Sequence, residues 1–556
     1  MKMTGGQALA HSLRIEGIDT LFALPGIQLD YLFDALWELR DEFTIYHTRH
    51  EQATGYMADG FARSTGKPAG FIVVPGPGVL NTTASLSTSY ACSSPVMCIT
   101  GQIDTPLIDR GIGALHEIND QVGLLSHLTK SSERGGSPSE IPSMVRRANR
   151  ALKEGRPRPV SIEVSPDVLA SIGDVTLLEP EHLSNQDIQT VDDILIDQAA
   201  ELLGKAENPV ICAGGGALTA EAWDEIRELS RILNAPVLMT SNGRGILDER
   251  TAYGISGRFA TNKLIPEADV ILAIGTRFSM ASNMGLGGGV NVQGKLIQCD
   301  IDPDEIGRNY PATVGLQTDA KLAAIALCEA LPKYNKSRES RDTELTNLKT
   351  AQTEAMNVMD WQASMSQAIR KAIPDDAIVV SESTQVGYFI QGGGFPVYNP
   401  RTMITSGYQG TLGYGYPTAL GVQVGNPDKV VVSVNGDGGF MYNVQELSTQ
   451  AEFEIPLITL VFADGLFGNV KRIQQEKYSG HGMSTKLNNP DFAALAELFG
   501  VTGYRANTSE ELFSTLTTAI ENRKPALIEV TQPPTPGLSS PMVMKQEPPR
   551  PIVNWP

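Results

Sequence analysis

Lys429-Val430-Val431-Val432-Ser433-Val434-Asn435-Gly436-Asp437-Gly438-Gly439 is an apolar run that ends in a glycine turn holding one carboxylate, and 27 positions on Asp464 follows a second such run, Pro456 to Ala463. A strand rising into a glycine turn leaves backbone N–H groups free for phosphate oxygens. One carboxylate from each strand end supplies the oxygen ligands that Mg²⁺ or Ca²⁺ prefers. Two adjacent strands ending at one crevice is also where open α/β sheets bind ligands.

The same rhythm runs outward from this point. Apolar runs followed by glycine turns and helical patterns occur at Phe71 to Val74, Pro209 to Cys212, Val270 to Ile274, Lys295 to Asp302, Ala377 to Val380 and Ala526 to Val530. Strands alternating with helices predict doubly wound α/β domains with mostly parallel sheets. Two stretches break the pattern, the acidic 174–193 and the polar 333–357, and read as linkers. They divide the chain into domains at 1–175, 190–335 and 355–535, followed by a proline-rich tail at 536–556.

The chain has 556 residues and a formal charge of −19, which argues against a nucleic-acid or anionic-membrane partner, since both need basic surface. Its five cysteines, at 92, 98, 212, 299 and 328, are odd in number and lack zinc spacing. The first residues lack the apolar core of a signal peptide, and no stretch approaches 18 apolar residues. The expectation is a soluble cytoplasmic protein.

A lone Gly-Asp-Gly turn is weak, but other segments accompany it. Phe22 to Gln28 contains Leu24-Pro25-Gly26; Thr48-Arg49-His50-Glu51-Gln52 opens a helical stretch to Arg63; Pro75 to Asn81 reads Pro-Gly-Pro-Gly-Val-Leu-Asn; and Thr405 to Gly415 contains Gly410-Thr411-Leu412-Gly413. In this order, with the two aspartates, they resemble the thiamine-diphosphate (ThDP) enzymes of the acetolactate synthase, benzaldehyde lyase and 2-oxo acid decarboxylase superfamily. Gly275-Thr276-Arg277-Phe278 and Gln298 to Pro303 extend the resemblance to the middle domain. The family's metal motif carries Asn-Asn where this chain has Ala463-Asp464, a changed ligand at unchanged spacing.

The resemblance implies N-terminal pyrimidine-binding (Pyr), middle and C-terminal diphosphate-binding (PP) domains. It makes Glu51 the acid that protonates the cofactor's pyrimidine nitrogen, in apolar surroundings; for an isolated glutamate the competing reading is a helix-capping carboxylate. It places the carbonyl of Gly410 against the 4′-amino group and Leu412 under the two rings. Asp437, Asp464 and the carbonyl of Leu466 become the metal ligands for Mg²⁺. Gly436, Gly438, Gly439, Asn469 and Gln385 fall to the diphosphate end. Gln28 and His116 face the substrate, each able to donate a hydrogen bond or relay a proton, with His50 a weaker candidate.

Acetolactate synthases carry Asp-Asp-Arg after the middle-domain Arg-Phe and a tryptophan after the metal motif. Here Ser279-Met280-Ala281 and Ile473 stand at those places. Loss of a carboxylate clamp alongside a gain of apolar lining favours aldehydes or acyloins. The expected activity is a carbon–carbon lyase or carboligase working through an enamine on 2-oxo acids, aldehydes or acyloins. A simple decarboxylase is the first alternative and a non-catalytic scaffold the second. The turns Gly214-Gly215-Gly216 and Thr240 to Gly245 suit an adenine dinucleotide such as FAD, but glycine turns more often belong to an empty structural domain. The family's site lies between subunits, so a homodimer or homotetramer is implied.

Overall fold

The computed structural model describes residues 1–181, 190–279 and 290–533, apart from the side chains of Glu476 and Lys477. The expected tail at 536–556 and the Met280-Ala281 pair lie outside the described residues.

Each predicted domain builds a six-stranded parallel sheet from its apolar runs. In the first, β1 (Thr20–Ala23), β2 (Thr44–His47), β3 (Ala69–Val73), β4 (Val96–Gly101), β5 (Ser132–Gly135) and β6 (Val160–Val164) lie in the order β2-β1-β3-β4-β6-β5. The middle sheet comprises β7 (Pro209–Ala213), β8 (Val237–Met239), β9 (Gly254–Ser256), β10 (Val270–Ile274), β11 (Lys295–Asp300) and β12 (Val314–Gln317), in the order β9-β8-β7-β10-β11-β12. In the third, β13 (Ile378–Ser381), β14 (Met403–Thr405), β15 (Val431–Gly436), β16 (Ile458–Ala463), β17 (Thr502–Ala506) and β18 (Ala526–Thr531) lie in the order β14-β13-β15-β16-β18-β17. The outer domains therefore share one topology, and the middle domain has another, that of dinucleotide-binding sheets. Central strands such as β3, β6, β7 and β10 are buried along their whole length, which is why they read as continuous apolar runs.

The first and third domains share a single apolar core, in which Phe22, Tyr56, Met57 and Phe71 meet Tyr414, Tyr416, Leu420 and Phe440. Helices α1 (Glu51–Thr65), after β2, and α2 (Pro77–Cys92), after β3, cover the first sheet; α3 (Gly415–Gly425) and α4 (Gly468–Lys477) belong to the third. Helices α1 and α3 cross almost backbone to backbone. A Cβ on Gly60 would stand 2.1 Å from the Thr418 carbonyl oxygen, and one on Gly421 would stand 1.9 Å from that of Met57. Only hydrogen fits there, so Gly421→Ala is expected to cost at least about 1–3 kcal/mol through overpacking, read as a lowered urea midpoint.

The polar stretch 333–357 is not an open linker. It contains the helix Asp342–Met356, with Leu345 buried in a middle-domain cluster and Gln352 bonded to Ser256 O and Ala260 N. Its sparse apolar positions hid this. The Arg244–Glu249 pair then ties the middle domain to the third: Arg244 Nη1 donates to Ile390 O at 2.7 Å, and Val397 N donates to Glu249 at 2.9 Å. All three domains meet at Arg63, whose Nη1 donates to Thr405 O and whose Nη2 donates to Asn242.

Candidate active site

Parallel register brings Gly436 opposite Phe462, so the turns after β15 and β16 emerge side by side. Asp437 is buried at the head of the short helix Asp437–Phe440, where its Oδ1 accepts from Gly438 N at 2.7 Å. Its Oδ2 accepts from Gly465 N at 2.8 Å, a residue of the neighbouring turn, and from Asn489 Nδ2 at 2.7 Å. Asp464 accepts from Leu466 N at 2.9 Å and from Gln532 Nε2 at 2.8 Å. Burial, reinforced by the neighbouring Asp437 charge, pushes the Asp464 carboxyl up to about 6. Burial also raises Asp437, against the pull of its amide donors. Two carboxylates that resist joint ionisation, with no cation paired to either among the described ion pairs, form a donor set suited to a hard divalent ion. Among the described residues no group of three or more His, Cys, Asp or Glu side chains gathers, so further ligands have to be carbonyls, water or a bound anion. Leu466 lies between the paired segments Gly465–Leu487 and Phe467–Thr485, which order its backbone.

The other residues that the resemblance assigns to the diphosphate end lie on the same turn or on other segments of the third domain. Gly438 and Gly439 are buried, and added Cβ atoms would meet Phe467 at 2.7 Å and Glu382 at 2.0 Å. Gly436 is packed beside Thr384, and Gln385 opens the helix Gln385–Phe389 directly beyond it. Asn469 stands on α4, with its Oδ1 accepting from Arg472 and its side chain within reach of Tyr388. Ile473 follows on the same helix. On the loop after β14, Gly410 is exposed at φ +58°, with open space where a Cβ would be, and Leu412 is half-buried behind it.

Glu51 begins α1, after His50 caps it by accepting from Gln52 N at 3.2 Å, which gives His50 a structural task. The Glu51 carboxylate accepts from Asn81 Nδ2 at 2.9 Å, and the residue is partly exposed within the single chain. The apolar surroundings expected for it are therefore not supplied by its own chain. Among the described residues no hydrogen bond or ion pair links Glu51 to Asp437 or Asp464, and exposed Leu80, Ile27, Ile112 and Leu115 flank the first-domain face.

Gln28 and His116 are brought together. Gln28 Nε2 donates to the carbonyl of Leu115 at 3.2 Å, and the His116 carbonyl packs on Gly76. Gln28 Oε1 and His116 Nδ1 are buried without a hydrogen-bond partner, at a left-handed backbone position of φ +69° for the histidine. Buried polar atoms without partners are costly, and a ligand would repay them. One N–H of the Gln28 amide is engaged by Leu115 O, which leaves the second N–H and an unpartnered Oε1 acceptor.

Three further residues escaped the sequence reading. Glu446, fully buried, accepts from Arg49 N and His50 N and so fixes the backbone leading into Glu51 from the third domain. Glu382 and Asn443, also buried, both bond to Gly413. A charged residue directly after an apolar strand, as in Ser381-Glu382-Ser383, was the available signal for one of them.

In the middle domain the turns Gly214–Gly216 and Gly275–Arg277 leave the ends of β7 and β10, the point where strand order reverses. With Asn242, Asp300 and Asp319 they line a cavity of about 650 Å³ that continues to Gly410 and Asn469.

Three domain families match the chain in turn: the thiamine pyrophosphate enzyme N-terminal TPP binding domain over residues 3–124, the central domain over 196–327 and the C-terminal TPP binding domain over 386–530. Similar curated proteins include a probable acetolactate synthase large subunit of Methanocaldococcus jannaschii, 33% identical over 97% of this chain and 93% of its own. The acetolactate synthase isozyme 2 large subunit of Escherichia coli is 31% identical over 95% of each chain. A probable 2-ketoarginine decarboxylase of Pseudomonas aeruginosa is 32% identical over 95% of this chain and 94% of its own.

Proposed function

Since the chain belongs to the thiamine pyrophosphate enzyme family, we propose that it makes or breaks carbon–carbon bonds of 2-oxo acids, aldehydes or acyloins with ThDP and Mg²⁺. The paired carboxylates Asp437 and Asp464 at the ends of β15 and β16 carry this reading. The fit of the cofactor rests on the same turns: glycine N–H groups beside two carboxylates, open space over Gly410, and unpartnered polar atoms on Gln28 and His116. When bound, ThDP supplies a carbon acid that adds to carbonyl carbon. Asp437, Asp464 and the Leu466 carbonyl hold the cation, and Gly439 offers an N–H to the diphosphate beside Gly438, whose own N–H holds Asp437 Oδ1 in place. Glu51 holds a proton on its carboxyl for the pyrimidine nitrogen. Gln28 Oε1 accepts from a substrate hydroxyl, and His116 Nδ1 exchanges a proton with a substrate oxygen. A turnover panel over 2-oxo acids, aldehydes and acyloins, following carbon dioxide release separately from ligation, tests the proposal. Carbon dioxide release alone favours the decarboxylase alternative, which the 2-ketoarginine relative supports; no turnover of any class removes the proposal.

The partly exposed Glu51, exposed Ile27, Leu80, Ile112 and Leu115 on the first domain, and exposed Met441, Tyr442 and Val470 on the third support a site completed by a second copy of the chain. Mixing inactive Glu51→Gln and Asp437→Ala proteins is then expected to restore roughly a quarter of wild-type activity, because half the dimers are mixed and each has one intact site. Absence of any restoration would sink the shared site.

A second ligand has an independent support in the middle-domain cavity, which lies at the switch point of a sheet ordered as dinucleotide-binding sheets are. FAD or an adenine nucleotide suits its glycine turns and a wall that carries Arg156 and Arg277 as well as Asp300 and Asp319. Flavin absorbance in the purified protein, or a thermal shift with ADP, checks this; neither signal leaves the domain structural.

A further inference from the structure

The switch point of the third sheet lies between β13 and β15, and the residue leaving β13 there is Glu382. Its backbone N–H donates to Val434 O at 2.9 Å, which anchors it to β15 one strand-end away from Asp437. Its carboxyl is fully buried and uses both oxygens: one accepts from Gly413 N at 2.7 Å, the other from Gly415 N at 3.0 Å. The same carboxyl rests on the turn after β15, since a Cβ on Gly439 would stand 2.0 Å from it. Among the described residues no Lys, Arg or His makes an ion pair with it. Burial pushes it up to about 7, while the two amide donors pull the other way. A buried carboxyl without a cation is costly, and among the described residues its hydrogen bonds go to the Gly413 and Gly415 amides.

Gly413 is also held from its other side. Asn443, fully buried and five residues beyond Gly438, donates Nδ2 to the Gly413 carbonyl at 2.7 Å. Gly413 has φ +81°, and a Cβ there would stand 2.5 Å from Tyr442. Its N–H and its C=O are thus both fixed, by two side chains from segments that flank the Asp437 turn.

We propose that Glu382 and Asn443 are positioning residues that clamp Gly413, and so hold the Gly410–Leu412 loop in register with the Gly436–Gly439 turn. The inference rests on the proposed reading in which that loop bears the pyrimidine end of ThDP and that turn the diphosphate end. The two ends of one rigid cofactor then need two loops at a set separation, which pre-organisation supplies before binding. Loosening the clamp leaves each contact available and removes their register.

Glu382→Gln keeps one acceptor and turns an N–H donor toward another; Asn443→Ala removes the second hold. Each is expected to raise the KM for ThDP by about tenfold or more, with a smaller change in kcat at saturating cofactor and unchanged far-UV circular dichroism. A folded pair of variants with wild-type KM for ThDP overturns the clamp. Leu412→Ala serves as the control for the underlying reading: if it too leaves KM and kcat unchanged, the loop is not the cofactor bed and the reading itself fails. Amide exchange on the wild-type protein without cofactor decides independently of how the variants fold. Slow exchange at Gly413 and Gly415 supports the clamp, and exchange at the rate of exposed loops overturns it.

Discussion

Glu51→Gln is expected to slow turnover by about 10²–10⁴-fold while leaving the fold unchanged, the range for losing a positioned acid or base. The isostere keeps the acceptor that Asn81 Nδ2 uses and the first-turn position in α1, so stability should hardly move. What it loses is the exchangeable proton. The direct measurement is hydrogen–deuterium exchange at C2 of bound ThDP, with cofactor affinity measured in parallel. Exchange at the wild-type rate would show that the proton comes from elsewhere, whatever happens to turnover.

Removing Asp437 should be damaging by a different route. Asp437→Ala leaves Gly438 N, Gly465 N and Asn489 Nδ2 without their acceptor and takes away one charge facing the cation. Loss of one charge-assisted contact to the cation is worth about 1.5–3 kcal/mol, so Mg²⁺-dependent ThDP binding should weaken by about 10–100-fold. Asp464 adds a pH dependence of definite sign. Its folded pKa, about 6, stands above the ordinary value of 3.8, so the folded protein favours the protonated form. Its contribution to stability without metal is present below about pH 4 and is lost as the pH rises through 6. A divalent cation competes with that proton, so its affinity should climb up to about pH 6 and level off above. Asp464→Asn is expected to flatten this climb and lower the Mg²⁺ requirement without abolishing activity. Thermal shifts against Mg²⁺ concentration at pH 5 and pH 7.5 measure both; an unchanged Mg²⁺ dependence would count against the role of the added charge.

Much of the architecture was legible because its signals are local. Buried parallel strands have to be apolar throughout, so β7, β10, β15 and β16 announced themselves within a few residues of their ends. The glycine turns that follow them were equally plain, and the spacing from Asp437 to Asp464 contained the two strand ends that now stand side by side. Helix Asp342–Met356 was missed for the converse reason, since only Leu345, Gln352 and Met356 of it are buried and one of those is polar.

The residues that escaped notice act across distance in the chain. Glu382 meets Gly413 and Gly439, and Glu446 meets Arg49 and His50, nearly 400 residues away. No periodicity or motif marks such a pair, because its chemistry exists only once distant segments of one sheet, or two sheets with a shared core, have come together. Similarly, the letter at position 28 named a glutamine, while packing against Leu115 decided that its Oε1 is buried without a partner. Residue type and short-range spacing were enough for the three α/β sheets, the glycine turns and the two strand ends that carry Asp437 and Asp464, since each depends on backbone conformation within a short segment. Burial, pKa and the choice of free donor or acceptor depend on what the folded chain brings within hydrogen-bond reach, and those belong to the three-dimensional arrangement.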